Sequence, residues 1–177
     1  MLFIALISIS CAIATGVHAD ADAGASLSGR SLENEVAGIF LEAGIPVAPA
    51  DDAAEPYVRR NVPYRSIYGH EARIEFMLAI GGRRYLVETK RMASPGSVDE
   101  KLPYVWLNAL ANRTGYDFIL VMDGDGWKSE ARAWIERKAR TDDHFTVLGL
   151  EGFKIWLALQ LRQTPPASPA PLGSSPF

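Results

Sequence analysis

Cysteine is nearly absent from this 177-residue chain. Cys11 stands alone, which excludes an internal disulfide framework and any cysteine-based zinc site. Histidine is sparse too: His18, His70 and His144 are scattered without metal-ligand spacing, so no histidine-rich centre is expected. There is no excess of positive charge. The net charge of −3 gives no whole-chain field to draw in a polyanion. The apolar run at residues 2–17, LFIALISISCAIATGV, is short of the roughly 20 residues a membrane span needs. No Lys or Arg precedes Arg30, so the positive region that opens an export signal is missing, although Val17-His18-Ala19 offers small residues for a signal peptidase. Two origins fit this segment: a cleaved export signal, or an extension translated from a start set too far upstream. The first would make the protein exported, the second leaves it inside the cell.

What is present suits one globular domain with a real core: 48% of residues are apolar and 22% charged. The end of the chain, QTPPASPAPLGSSPF, holds five of the eleven prolines and no charge, and reads as a disordered tail. The expected organisation is therefore an extraneous or signal-like segment at 1–26, a folded domain at 27–163 and a tail at 164–177. From Tyr57 to Arg91 there are eight Lys and Arg against three Glu, a local excess of five positive charges in an acidic chain. Such a stretch suits a phosphate backbone, or equally a solvated sheet face.

SLENEVAGIFLEAG places Leu32, Val36, Ile39, Phe40 and Ala43 on one helical stripe, with Ser28 or Ser31 as cap and Gly44 as stop. YVRRNVPYRSIYG reads as an edge strand, since Pro63 interrupts it. ARIEFMLAI and RRYLVETKR flank Gly81-Gly82, a hairpin with a tight primed turn. SVDEKLPYVWLNALANRTG predicts a helix near Ser97 or Asp99, with Pro103 awkward inside it. A buried strand (YDFILVMDG), an amphipathic helix (WKSEARAWIERKAR), a strand (FTVLGL) and a last helix (EGFKIWLALQLRQ) complete the domain. The fold class is α/β, a mixed central sheet flanked by helices, with its strand-helix-strand part parallel. MDGDGW at 122–127 lacks the later ligands of a calcium loop and reads as a strand-end turn.

The hairpin carries the chemistry. Glu88 and Lys90 are two residues apart on a strand and share a face. Glu75 lies six residues before Gly81 and Glu88 six after Gly82, so a two-residue turn sets the carboxylates opposite each other, β-carbons ~4.5–5.5 Å apart. Like charges so placed destabilise a hairpin unless something neutralises them. A hard divalent cation such as Mg²⁺ does so, and Lys90 beside it supplies a compact positive charge for metal-activated water or for an attacked phosphate. An isolated Glu-x-Lys is more commonly an exposed ion pair.

Taken together, Ile74-Glu75-Phe76, Val87-Glu88-Thr89-Lys90 and Gly96–Tyr104 (GSVDEKLPY) resemble the PD-(D/E)xK nuclease superfamily, in a restriction-enzyme and phage-like branch. The resemblance spans about Gly29 to Leu150 and implies a restriction-endonuclease-like αβββαβ core. It implies a Mg²⁺-dependent DNA endonuclease, Mn²⁺ substituting, with Glu75, Glu88 and the helical Glu35 as metal ligands and Lys90 as the catalytic lysine. Arg73, Arg91 and Lys101 become candidates for contact with DNA, and a homodimer is implied by site-specific members. The chain departs from the pattern where Glu75 replaces the usual Asp and where Arg91-Met92 replaces a Gln. Those departures keep a second expectation open: a nucleic-acid-binding module on the same fold without catalysis.

Overall fold

The computed structural model describes residues 18–49 and 53–164. Most of the N-terminal segment and the proline-rich tail from residue 165 lie outside them. The element order is α1 (His18–Glu42), β1 (Tyr57–Arg65), β2 (Glu71–Ile80), β3 (Arg83–Arg91), a 3-10 turn at Val98–Lys101, α2 (Leu102–Asn112), β4 (Asp117–Asp123), α3 (Ser129–Ala139), β5 (Phe145–Leu148) and α4 (Leu150–Gln163). The five strands lie side by side in chain order. β1, β2 and β3 form an antiparallel meander, while β3, β4 and β5 are parallel neighbours joined through α2 and α3. This is the expected α/β architecture with a mixed sheet. No described helix is long and apolar enough to cross a membrane.

Alternation along the strands builds two cores. On one face Leu86, Leu120, Met77 and Met122 pack beneath Leu102, Val105 and Ala109 of α2 and Ile135 of α3. On the other, Val87, Phe76, Ile119 and Val121 meet Leu32, Val36 and Phe40 of α1 and Phe153 and Leu157 of α4. Phe40 stands edge-on to Phe76 (5.4 Å) and to Phe153 (5.6 Å), which ties α1, β2 and α4 together.

Local signals behaved unevenly. Gly81 and Gly82 both have positive φ, 61° and 75°, the primed turn expected of a Gly-Gly hairpin. Gly44, at φ 72°, ends α1, with the Ile45 N–H donating to the Phe40 carbonyl. At its start α1 differs from expectation: it is already helical at His18, running through the boundary set at Leu27, so neither Ser28 nor Ser31 is a cap. The helix expected from Ser97 is a 3-10 turn without a side-chain cap, and α2 proper begins at Leu102 with Pro103 in its first turn. Proline has no N–H to lose there, so Pro103 marks the true start of the helix.

Candidate active site

Two breaks in the strand pattern make the site. In β1, Arg60 lies over the Phe76 ring on the α1 side, yet Val62 packs on the α2 side. In β2, Phe76 faces α1, yet Ile74 faces α2. Pairing runs unshifted through both, Arg60↔Phe76 and then Val62↔Ile74, so both strands twist at the intervening Asn61 and Glu75. Asn61 absorbs the twist at φ 53°, a left-handed conformation that Asn tolerates better than most residues. Glu75 is thereby turned out of the regular alternation.

The β2–β3 ladder holds the predicted register from Ile80↔Arg83 to Phe76↔Val87 and then opens. Into that opening goes the Glu75 carboxylate. Its Oε2 accepts the Thr89 N–H at 3.4 Å, and its Oε1 is 3.8 Å from Lys90 Nζ. Lys90 Nζ also donates to Glu88 Oε1 and, at 3.1 Å, to the Thr89 carbonyl. The expected meeting of Glu75, Glu88 and Lys90 is therefore present. All three side chains are sheltered yet reachable, 24%, 15% and 21% exposed respectively. A cleft of about 390 Å³ lined by Glu33, Arg60, Asn61, Arg73, Ile74 and Glu75 opens beside them.

Burial, with the Glu88 charge second, pushes the Glu75 carboxyl up to about 8 against the opposing pull of Lys90. Burial alone would lower the Lys90 ammonium, but Glu88 and Glu75 outweigh it and hold Lys90 above its ordinary value. Lys90 is thus held as a cation between the two carboxyl groups. A pair of sheltered carboxylates with the Thr89 carbonyl oxygen is a hard-oxygen donor set. It fits a cation of the Mg²⁺ type, which is held by one or two carboxylates and keeps several waters.

Glu35 does not join this cluster, contrary to expectation. Arg91 comes directly after Lys90 and so projects from the opposite face, towards α1. Its guanidinium takes Glu35 in a two-pronged grip, Nη1 to Oε1 at 2.8 Å and Nη2 to Oε2 at 2.9 Å, while its Nε donates to Asp123 Oδ2 at 2.8 Å. The Arg91 hydrogen bond, with Ser31 and the Arg91 charge assisting against burial, holds the Glu35 carboxyl below its ordinary value. Among the described residues no group of three His, Cys, Asp or Glu is placed to hold a metal ion. Arg91, expected at DNA, is occupied by these two carboxylates. Arg73 lines the cleft and donates to the Asn61 carbonyl and to Glu71. Lys101 is exposed at the end of the 3-10 turn. Asp99, expected at a helix cap, is buried and pairs with Lys128 at 2.9 Å.

Tyr64 escaped the sequence reading. Burial, then the Glu88 charge, the Tyr104 hydroxyl and the Glu75 charge raise its phenol, so it borders both the carboxylates and α2. Only the register of β1 on β2, which sets Tyr64 opposite Ala72, would have revealed it.

No curated protein matches the chain. A crystal structure of a protein of unknown function, AF1548, is similar at a TM-score of 0.44 and 16% identity, over 67% of this chain and 56% of that one. The family model of the PD-(D/E)XK nuclease superfamily domain matches residues 24–161, which include the meander, the carboxylate pair and Lys90. By that match, over more than half its length, the chain belongs to the PD-(D/E)XK nuclease superfamily.

Proposed function

We propose that this protein is a divalent-metal-dependent DNA endonuclease whose catalytic group is Glu75, Glu88 and Lys90. The observation that carries the reading is the single ammonium of Lys90 held between two sheltered carboxylates that converge from neighbouring strands. Glu75 and Glu88, with the Thr89 carbonyl, would hold Mg²⁺ or Mn²⁺. Such an ion supplies Lewis acidity and makes water a competent nucleophile near neutral pH.

The chain's own residues do the rest. Lys90, which both carboxylates hold in its charged form in the metal-free protein, would offer a positive charge to the phosphoryl oxygens or help to activate the attacking water. The Thr89 N–H holds the Glu75 carboxylate at the mouth of the opened ladder, which fixes its direction before substrate arrives. Arg73, on the cleft wall, offers a guanidinium for a flanking phosphate.

The test is cleavage of supercoiled, linear and single-stranded DNA by the purified protein. Nicking with Mg²⁺ or Mn²⁺, its loss in EDTA, and a fall of about 10²–10³-fold in Lys90→Ala, with the fold checked by circular dichroism at the assay temperature, are expected. DNA binding without cleavage of any form by the wild type would instead support a non-catalytic binding module.

A further inference from the structure

Next to this site the β1–β2 turn presents an exposed aromatic ring. Tyr68, in the β1–β2 turn, is 72% exposed. Its ring stacks on that of Tyr104 in the first turn of α2, centroids 5.4 Å apart and planes 22° apart, with His70 alongside at 6.1 Å. The arrangement is built, not incidental. Asn108, only 2% exposed, accepts the Ile67 N–H at 2.9 Å while donating to the Tyr104 carbonyl one turn back in its own helix at 2.8 Å, so it ties the turn that carries Tyr68 to α2. Ser66 caps the turn from within, and Asn112 donates to the Arg65 carbonyl at 3.0 Å. A buried amide that fixes the turn beneath an exposed, stacked aromatic ring points to a ligand with a flat π-face.

Two further observations say which ligand. The Arg65 guanidinium lies over Gly69, within 3.6 Å of where a β-carbon would sit there, and exposed Lys101 precedes Tyr104 by three residues on the same helical start. Rings flanked by cations match a chain of stacked bases joined by phosphates. Tyr64, which borders Tyr104, Glu88 and Glu75, connects this surface to the carboxylate–lysine cluster.

We propose that Tyr68 and Tyr104 form a stacking platform for unpaired nucleobases, so that the substrate of the neighbouring site is DNA carrying a single-stranded segment. The proposal rests on the nuclease reading for the word substrate, but its test does not depend on cleavage. Binding is measured with the full chain in EDTA, using a fluorescein-labelled oligothymidylate and a hairpin duplex of equal length. A single-stranded probe containing 2-aminopurine reports stacking by quenching. Wild type is expected to prefer the single strand and to quench the probe. Tyr68→Ala should weaken single-strand binding by about 10- to 100-fold and abolish quenching, while Tyr68→Phe, which keeps the ring, retains both. Equal or tighter binding to duplex, or a Tyr68→Ala that binds and quenches like wild type, overturns the platform. The second of these results would point to a protein partner for the rings. Loss of the cleavage reading in its own assay leaves the binding result standing, and loss of the platform leaves cleavage standing.

Discussion

At the scale of single residues, the site turns on where one carboxylate is aimed. Strand alternation and a two-residue turn predict that Glu75 meets Glu88 and Lys90. They do not show how, because the twist at Asn61 has no pattern signature beyond an Asn inside a strand. The Arg91–Glu35 fork was equally hidden: it depends on which helix covers which face, and a short motif carries no such information. Glu75 also makes the apo protein pH-sensitive. Its folded carboxyl lies near 8 against an ordinary 4.5, so folding favours the protonated form. That contribution is complete below about 4.5 and disappears as pH rises through 8. In EDTA the urea midpoint of the wild type should therefore fall between pH 5.5 and 8, and the fall should be shallower in Glu75→Gln. Added Mg²⁺ should recover more stability at pH 8 than at pH 5.5, because cation and proton compete for the same oxygens.

At the scale of elements, β3 is anchored by the segment at its C-terminal end. The chain from Met92 to Ser94 leaves β3 and lies against the turn after β4. A β-carbon on Gly124, where φ is 90°, would come within 2.4 Å of the Met92 carbonyl oxygen. One on Gly126 would meet the Ser94 backbone at 2.5 Å. The sequence reading of MDGDGW as a strand-end turn was correct, but the backbone that presses on its glycines belongs to a distant stretch of chain and could not be read locally. Gly124→Ala should cost about 1–3 kcal/mol through backbone strain, lowering Tm by about 2–4 °C per kcal/mol for a chain of this size. Gly115→Ala, where a β-carbon meets nothing within 4 Å, should shift Tm far less. Differential scanning calorimetry of the two variants checks this.

At the scale of the whole molecule, the element order was legible because each strand and helix carries its own periodicity and each turn its own glycine or proline. The charge distribution was less so. Of the eight cations between Tyr57 and Arg91, Arg60, Arg73, Arg83, Lys90 and Arg91 each lie in an ion pair with Asp or Glu. The apparent basic patch is therefore largely neutralised from within the fold, and the proposed DNA binding should depend only shallowly on salt. On a single strand a slope of log K on log salt of about −1.5 to −2 is expected, as for two or three phosphates neutralised; titrations between about 50 and 200 mM salt measure it. The most direct measurement of the central claim is calorimetric titration of Mn²⁺ into the metal-free protein and into its Glu75→Ala and Glu88→Gln variants. Saturable binding in the wild type, lost or strongly weakened in both variants, is the predicted result. Wild-type affinity retained in either variant, or no binding in the wild type, would contradict a shared cation between the two carboxylates.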